Sequence, residues 1–349
     1  MKQTLISPVA NTAVLLLASL TLLSTAGRAA DLPSASPIQQ QKSALLNGTT
    51  RAICYSGFRH GQHPDRGSGA VNPTDAQILE DLKLLATNRF NLIRLYDSQE
   101  NSESVLKLIQ ANNLPLKVLL GAWLDAEVNN PNCPWLKQPY PADKLAANKQ
   151  KNALEVENAI RLANTYSNVV IAVAVGNEAL VDWNDHMVPV DSVIGYVRRV
   201  KKAVAQPVTV ADNYNWWAKQ GGRLAREVDF LSVHTYPEWE NKDIAEAMPY
   251  SIANLQAVRN AFPDKRLVIT EAGWATVARE FGPRASAEKQ RRYFDNLYAW
   301  AGKMNITTFF FEAFDEDWKG DVNDPQGAEK HWGIFDIDRK PKAGFADAK

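Results

Sequence analysis

From Arg51 onward, short apolar runs alternate with longer charged, amphipathic stretches, and the alternation repeats eight times. The runs are RAICYSGF, NLIRLYD, LPLKVLLGAW, NVVIAVAVGNE, QPVTVADN, VDFLSVHTYP, RLVITEAGW and ITTFFFEAF. Most are continuous rather than alternating, as strands of a parallel sheet covered by helices tend to read. The stretches between them carry a helical period and start signals. In NPTDAQILEDLKLLATN, Thr74 or Asp75 can cap a helix whose Ile78, Leu82 and Leu85 share one face. Strand followed by helix, eight times over, predicts an α/β fold, the (β/α)8 TIM barrel. A doubly wound sheet would open on a glycine-rich first turn, and none is present. No interior linker breaks the pattern, so residues 51–349 read as a single barrel domain.

The first 50 residues stand outside that pattern. Lys2 precedes an apolar stretch centred on VLLLASLTLL and then the small residues of STAGRAA, the order of a secretory signal peptide over residues 1–29, cut after Ala29. The stretch falls short of the ~20 residues a spanning helix needs, which disfavours an uncleaved anchor. Residues 30–50, rich in Ser, Pro, Gln and Ala, read as a disordered leader. A secreted or periplasmic location follows, and an oxidising compartment would permit a bridge between Cys54 and Cys133. Neither lies in a metal-type CxxC spacing; one falls in a strand and one in a long loop, so two unpaired thiols are the expected state and a disulfide the alternative. Thirty-nine basic residues balance thirty-nine acidic ones. Nothing in that balance draws the chain to nucleic acid or an anionic membrane, and a neutral substrate suits it best. A monomer is expected.

In such a barrel the functional residues stand at the carboxyl ends of the strands. Tyr55, Arg94, Tyr96, Asp97, Asn177, Glu178, Asp212, Asn213, His234, Tyr236, Glu271, Asp315 and Glu316 fall there, and nine of the ten tryptophans follow a strand end. Flat aromatic faces suit the C–H surface of a pyranose, and amides and carboxylates suit its hydroxyls, so the rim reads as a sugar cleft. The alternative is that these tryptophans pack long loops onto the barrel. Two apolar strands end on a glutamate, the fourth at Asn177–Glu178 and the seventh at Glu271. Glycoside cleavage needs one carboxylic acid to protonate the leaving oxygen and one carboxylate to attack or to activate water. Strands four and seven face each other across a barrel, close enough for the ~5 Å separation of retaining enzymes. Taken alone, each glutamate could instead serve as a helix cap or ion-pair partner.

ICYSGF, IRLYDS, IAVAVGNEAL, VITEAGW and FEAFDEDWK resemble, in order, the strand-end motifs of glycoside hydrolase family 17, the β-1,3-glucanase family of the retaining barrel clan. The likeness continues to the WGIFDIDRKPK tail. The resemblance implies a retaining hydrolase of laminarin-type β-1,3-glucan, with a β-1,3-glucan transglycosylase on the same residues as the alternative. It implies Glu178 as general acid/base, Glu271 as nucleophile, Asn177 as the residue that binds the 2-hydroxyl, and Tyr236 as hydrogen-bond donor to Glu271. Tyr55, Arg94, Trp274 and Glu316 match positions expected to line the sugar subsites, and no metal or cofactor is implied. The chain departs from the family at Ala275, where Pro is usual, and carries a long third loop, LDAEVNNPNCPWLKQPYPADK. In the double displacement this implies, burial or a nearby negative charge should raise the pKa of Glu178, while Tyr236 and Arg94 should keep Glu271 ionised.

Three other readings compete. His60 and His63 of HGQH, with His186 and His234, would suit a metal-dependent barrel hydrolase, but their spacing is loose. DEDWKGDVNDPQ places Asp315, Asp317 and Gly320 as a calcium loop would, but Lys319 and Gln326 fall where ligands belong. A non-catalytic sugar-binding barrel would keep the tryptophans and need neither glutamate. Endo or exo action, glucan length and branching, and the choice between water and a second glucan as acceptor are left open; Trp318 and Trp332 are the candidates for stacking an acceptor sugar.

Overall fold

The eight apolar runs pair in chain order, all parallel, and the last returns to the first. In this computed structural model, which describes residues 37–43, 50–65 and 67–345, the strands are β1 (Arg51–Cys54), β2 (Leu92–Arg94), β3 (Lys117–Ala122), β4 (Val170–Asn177), β5 (Val208–Asn213), β6 (Leu231–His234), β7 (Leu267–Gly273) and β8 (Thr308–Phe311). Around them run α1 (Asp75–Thr87), α2 (Glu100–Ala111), α3 (Ala142–Thr165), α4 (Val190–Ala203), α5 (Tyr214–Gln220), α6 (Gly222–Ala225), α7 (Ile244–Ala261) and α8 (Ala287–Met304). The (β/α)8 barrel is therefore present as read, with β5 and β6 joined by two short helices. The start of α1 shows how locally such elements are specified: the Thr74 hydroxyl accepts from Gln77 N, and the Gln77 side chain accepts from Thr74 N at 2.9 Å. Such a capping box is worth about 1 kcal/mol. Ile78, Leu82 and Leu85 are buried beneath it.

Along each strand, side chains alternate between two cores. Ala52, Cys54, Leu119, Ala174, Val268 and Phe309 fill the barrel interior. Ile53, Leu120, Val173, Val233, Ile269 and Phe310 pack outward against the helices. The alternation is interrupted on two strands. Against β5, Ala174 pairs with Thr209 and Asn177 with Ala211, so β4 carries one residue more than its partner. Against β6, Ile269 pairs with Val233 but Glu271 with His234, so β7 also carries one more. An inserted residue of this kind, a β-bulge, re-aims every side chain beyond it. Strict alternation from the inward Ala174 and Val268 would send Asn177 and Glu271 toward the helices; the bulges turn both toward the mouth.

Part of the expected disordered leader is docked. Gln40 is buried at the base of β7, where its side-chain amide accepts from Leu267 N at 2.7 Å and from Arg259 at 2.9 Å and donates to Leu267 O at 2.9 Å. One glutamine thus mimics a strand partner, a contact that composition does not announce. The signal peptide expected over residues 1–29, and residues 30–36 and 44–49 of the leader, lie outside the described residues. Among the described residues no helix is long and apolar enough to cross a membrane. Cys54 and Cys133 are both buried and unpaired, and burial pushes the Cys54 thiol up to about 12, so it stays an unreactive thiol.

Candidate active site

Glu178 and Glu271 meet at the carboxyl end of the barrel, with one oxygen of each within 4.8 Å of the other. Between them stands His234, from the end of β6, whose Nδ1 lies 2.9 Å from Glu178 Oε1 and 3.4 Å from Glu271 Oε2. Arg94 reaches in from β2. Its guanidinium donates to Glu271 Oε1 at 2.7 Å, to Thr270 O at 3.0 Å and to Asn177 Oδ1 at 2.5 Å, and lies 4.5 Å over the Tyr96 ring. The Tyr236 hydroxyl donates to Glu271 Oε2 at 2.7 Å. Burial works against ionising Glu271, but the charges of His234 and Arg94, with the hydrogen bond from Tyr236, outweigh it and hold the carboxyl below its usual range.

The backbone at Glu178 is left-handed, with φ 46°, following Gly176 at φ 86°. For a residue with a Cβ this costs of order 1–3 kcal/mol and persists only where neighbours impose it. Here they do. Glu178 N donates to Ala211 O at 2.9 Å, Asn184 Nδ2 donates to Glu178 O, and His186 Nε2 lies 2.9 Å from Asn177 O.

Arg94, Asn177, Glu178, Tyr236 and Glu271 are thus brought together, whereas three other expected site residues are not. Tyr55 follows the inward Cys54 and so points outward; it is buried on Phe314, with its hydroxyl donating to Asp81 of α1 at 3.3 Å. Trp274 leaves β7 on the outward side, is buried against Tyr293 of α8, and spends its Nε1 on Arg284 O at 3.1 Å. Glu316 is buried in a clasp between the last and first loops. Its Oε1 accepts from Phe58 N at 3.2 Å and from the Ser56 hydroxyl, and its Oε2 pairs with Lys319 at 2.8 Å. None of the three offers a free face to a sugar. The wall of nine tryptophans shrinks likewise: Trp216, Trp217, Trp274 and Trp332 are buried, leaving Trp123, Trp135, Trp183, Trp239 and Trp318 with exposed surface.

His234 is legible in the sequence as a strand-end polar residue, where only the metal reading gives it a role; its position between both glutamates depends on strand register. Glu329, in the turn Ala328–Lys330, is a further carboxyl near enough to both acids to feel their charges. Burial raises its pKa, Lys319 opposes, and the charges of Glu271 and Glu178 add to the rise. It lies in an irregular stretch with no periodic signal. The histidines of the metal reading do not converge: His60 pairs with Asp317 at 3.0 Å, His63 with Pro64 O at 2.9 Å, and His186 with Asp185 at 2.9 Å. Glu178, His234 and Glu271 could by distance hold an ion, but the Arg94 guanidinium already supplies the positive charge there. In the calcium-like run, Asp315 is taken by Lys342 at 2.7 Å.

The departure at Ala275 has a structural counterpart. Its N–H donates to Glu238 Oε2 at 2.5 Å, whereas a proline would leave that buried carboxyl without its donor. The other oxygen of Glu238 has no hydrogen-bond partner, and burial pushes the carboxyl up to about 8.

Known proteins are similar to this chain over most of its length. A glucan 1,3-beta-glucosidase of Arthroderma benhamiae is 28% identical over 276 residues, covering 74% of this chain and 80% of that one. Among solved structures, an endo-laminarinase from Formosa gives a TM-score of 0.75 at 25% identity, covering 87% of each chain. An active-site mutant of the Rhizomucor miehei beta-1,3-glucanosyltransferase, in complex with laminaritriose, gives 0.66 at 25% identity, covering 86% of this chain and 97% of that one. Residues 52–333, which include all eight strands from the second residue of β1 onward, match the BtgE/BtgC glycoside hydrolase domain, and the chain belongs to that family.

Proposed function

We propose that the chain is a family 17 glycoside hydrolase that cleaves β-1,3-glucan with retention, using Glu271 as nucleophile and Glu178 as general acid/base. The observation that carries this reading is the approach of one oxygen of Glu178 and one of Glu271 to within 4.8 Å. So close an approach favours direct attack by one carboxylate over the water that inverting enzymes place between carboxyls about 6.5–9.5 Å apart. A Glu271 oxygen attacks the anomeric carbon while Glu178 gives its proton to the departing glucosyl oxygen. Water then attacks the glycosyl ester, Glu178 takes back a proton, and the Glu271 carboxylate is released. Arg94 and Tyr236 orient Glu271 and keep it anionic before attack. Asn177, whose Oδ1 is held by Arg94, has its Nδ2 left to donate to the sugar 2-hydroxyl. Transfer to a second glucan uses the same intermediate with a sugar hydroxyl in place of water, and the likeness to a glucanosyltransferase supports keeping it as the second reading.

The test is a time course on laminari-oligosaccharides of defined length, resolving product sizes and the first anomer released by NMR. The β-anomer first is the expected result, and the α-anomer first would refute the two-glutamate mechanism. Products longer than the substrate would establish transfer. An exported enzyme is the companion proposal and rests on the N-terminal sequence alone.

A further inference from the structure

We propose that the long loop after β3 carries the acceptor-side sugar platform of this enzyme, with Trp135 as its stacking face; this rests on the two-glutamate reading above. In a displacement at the anomeric carbon, nucleophile, carbon and leaving oxygen lie roughly in line. The oxygen, and the reducing-end sugars attached to it, therefore extend from Glu271 toward Glu178 and the loops around β4.

The loop after β3 is built onto that side. Asn130 Nδ2 donates to Asp182 O at 2.9 Å and to Asn184 O at 2.7 Å, and Glu127 N donates to Met187 O at 3.0 Å, all in the loop after β4. Its neck is closed by Asn129 and Tyr140, which exchange hydrogen bonds of 3.0 and 2.6 Å. On this pinned loop Trp135 is 55% exposed. Its side chain lies beside Asp185, which pairs with His186 Nδ1 at 2.9 Å. The His186 ring lies 4.7 Å from the Trp123 ring at 31°, and its other nitrogen is 2.9 Å from Asn177 O. The indole is thus more than half exposed on a loop pinned to the β4 side, and stands beside the Asp185–His186 pair that reaches the backbone next to the acid/base. A platform so fixed stacks a sugar without first being ordered. The two tryptophans that sequence offers as acceptor-side platforms stand elsewhere: Trp332 is buried, and Trp318 packs at 5.9 Å on Phe58 beside β1 and β8, across the barrel from β4.

The test compares the unsubstituted enzyme with W135A and W135F on reducing-end-labelled laminari-oligosaccharides from three to six units. W135A is expected to lower the hexaose-to-triose ratio of kcat/KM by about fivefold, through KM, as loss of one stacking contact would. It is also expected to move the cleavage point of labelled hexaose toward the reducing end, because fewer units are then held on the acceptor side. W135F should keep the ratio within about twofold, since a flat face remains. An unchanged ratio and cleavage point in W135A, with thermal stability intact, would overturn the platform alone. A shift toward the non-reducing end would place Trp135 on the donor side and overturn it as well. Failure of the unsubstituted enzyme to cleave any of these sugars would overturn both readings.

Discussion

Glu271 and Trp274 leave the same strand end three residues apart and go to opposite sides of the sheet. The bulge in β7 turns Glu271 into the mouth, where it meets Arg94, Tyr236 and His234. Trp274 turns outward and is sealed against α8. Asn177 and Tyr55 repeat the contrast on β4 and β1: an extra residue brings the first inward, and plain alternation sends the second into the helix layer. Standing at the catalytic end of a barrel is therefore not enough to place a side chain in its site. The side of the sheet it takes decides, and one inserted residue reverses that side.

The sharpest test of this division is Glu271→Gln, which is expected to lower turnover on laminari-oligosaccharides by at least about a thousandfold, since no nucleophile remains. Arg94→Lys comes next. A lysine cannot reach Glu271, Thr270 and Asn177 together, so kcat/KM should fall by roughly 10- to 100-fold. With part of the charge that offsets burial weakened, Glu271 should also take up its proton more readily, moving the acid limb of the pH–rate profile upward.

On the outward side, Trp274→Phe should keep kcat within about twofold while costing on the order of 1–3 kcal/mol of stability, because a packed indole is shortened. Denaturant unfolding beside a rate assay checks both, and a loss of activity comparable to that of Arg94→Lys would break the division. Tyr55→Phe removes one buried hydroxyl and should cost about 1 kcal/mol with no change in rate.

An effect that appears only with pH is expected at Glu238. Its carboxyl, raised by burial to about 8 against an ordinary 4.5, keeps its proton in the folded state at pH values where the unfolded chain has lost it. Between those values the folded state binds more protons, so stability falls as pH rises from about 5 to 8. Glu238→Gln keeps the acceptor for Ala275 N–H and has no charge to gain. Its melting temperature should match that of the unsubstituted enzyme near pH 5 and exceed it at pH 8; equal melting curves at pH 8 would refute the assignment.

The eight strands, the α1 cap and the glutamates ending β4 and β7 were legible because each is a local pattern: an apolar run, a Thr–x–x–Gln box, an acid where a run stops. The tryptophans misled for the same reason. Trp217 and Trp332 follow strand ends as Trp123 does, yet they are buried, and nothing local separates them. Gln40 read as leader because its partners, Arg259 and Leu267, lie far along the chain.

Sequence alone determined the barrel, its eight-fold order and the two acids at its catalytic end, since burial period and strand length are written residue by residue. The tertiary structure decided which side chains enter the mouth, because a bulge exists only as a mismatch between neighbouring strands. It also set the left-handed turn at Glu178, the place of His234 between the two acids, and the pinning of the third loop over β4, each held by partners that only the closed barrel brings together.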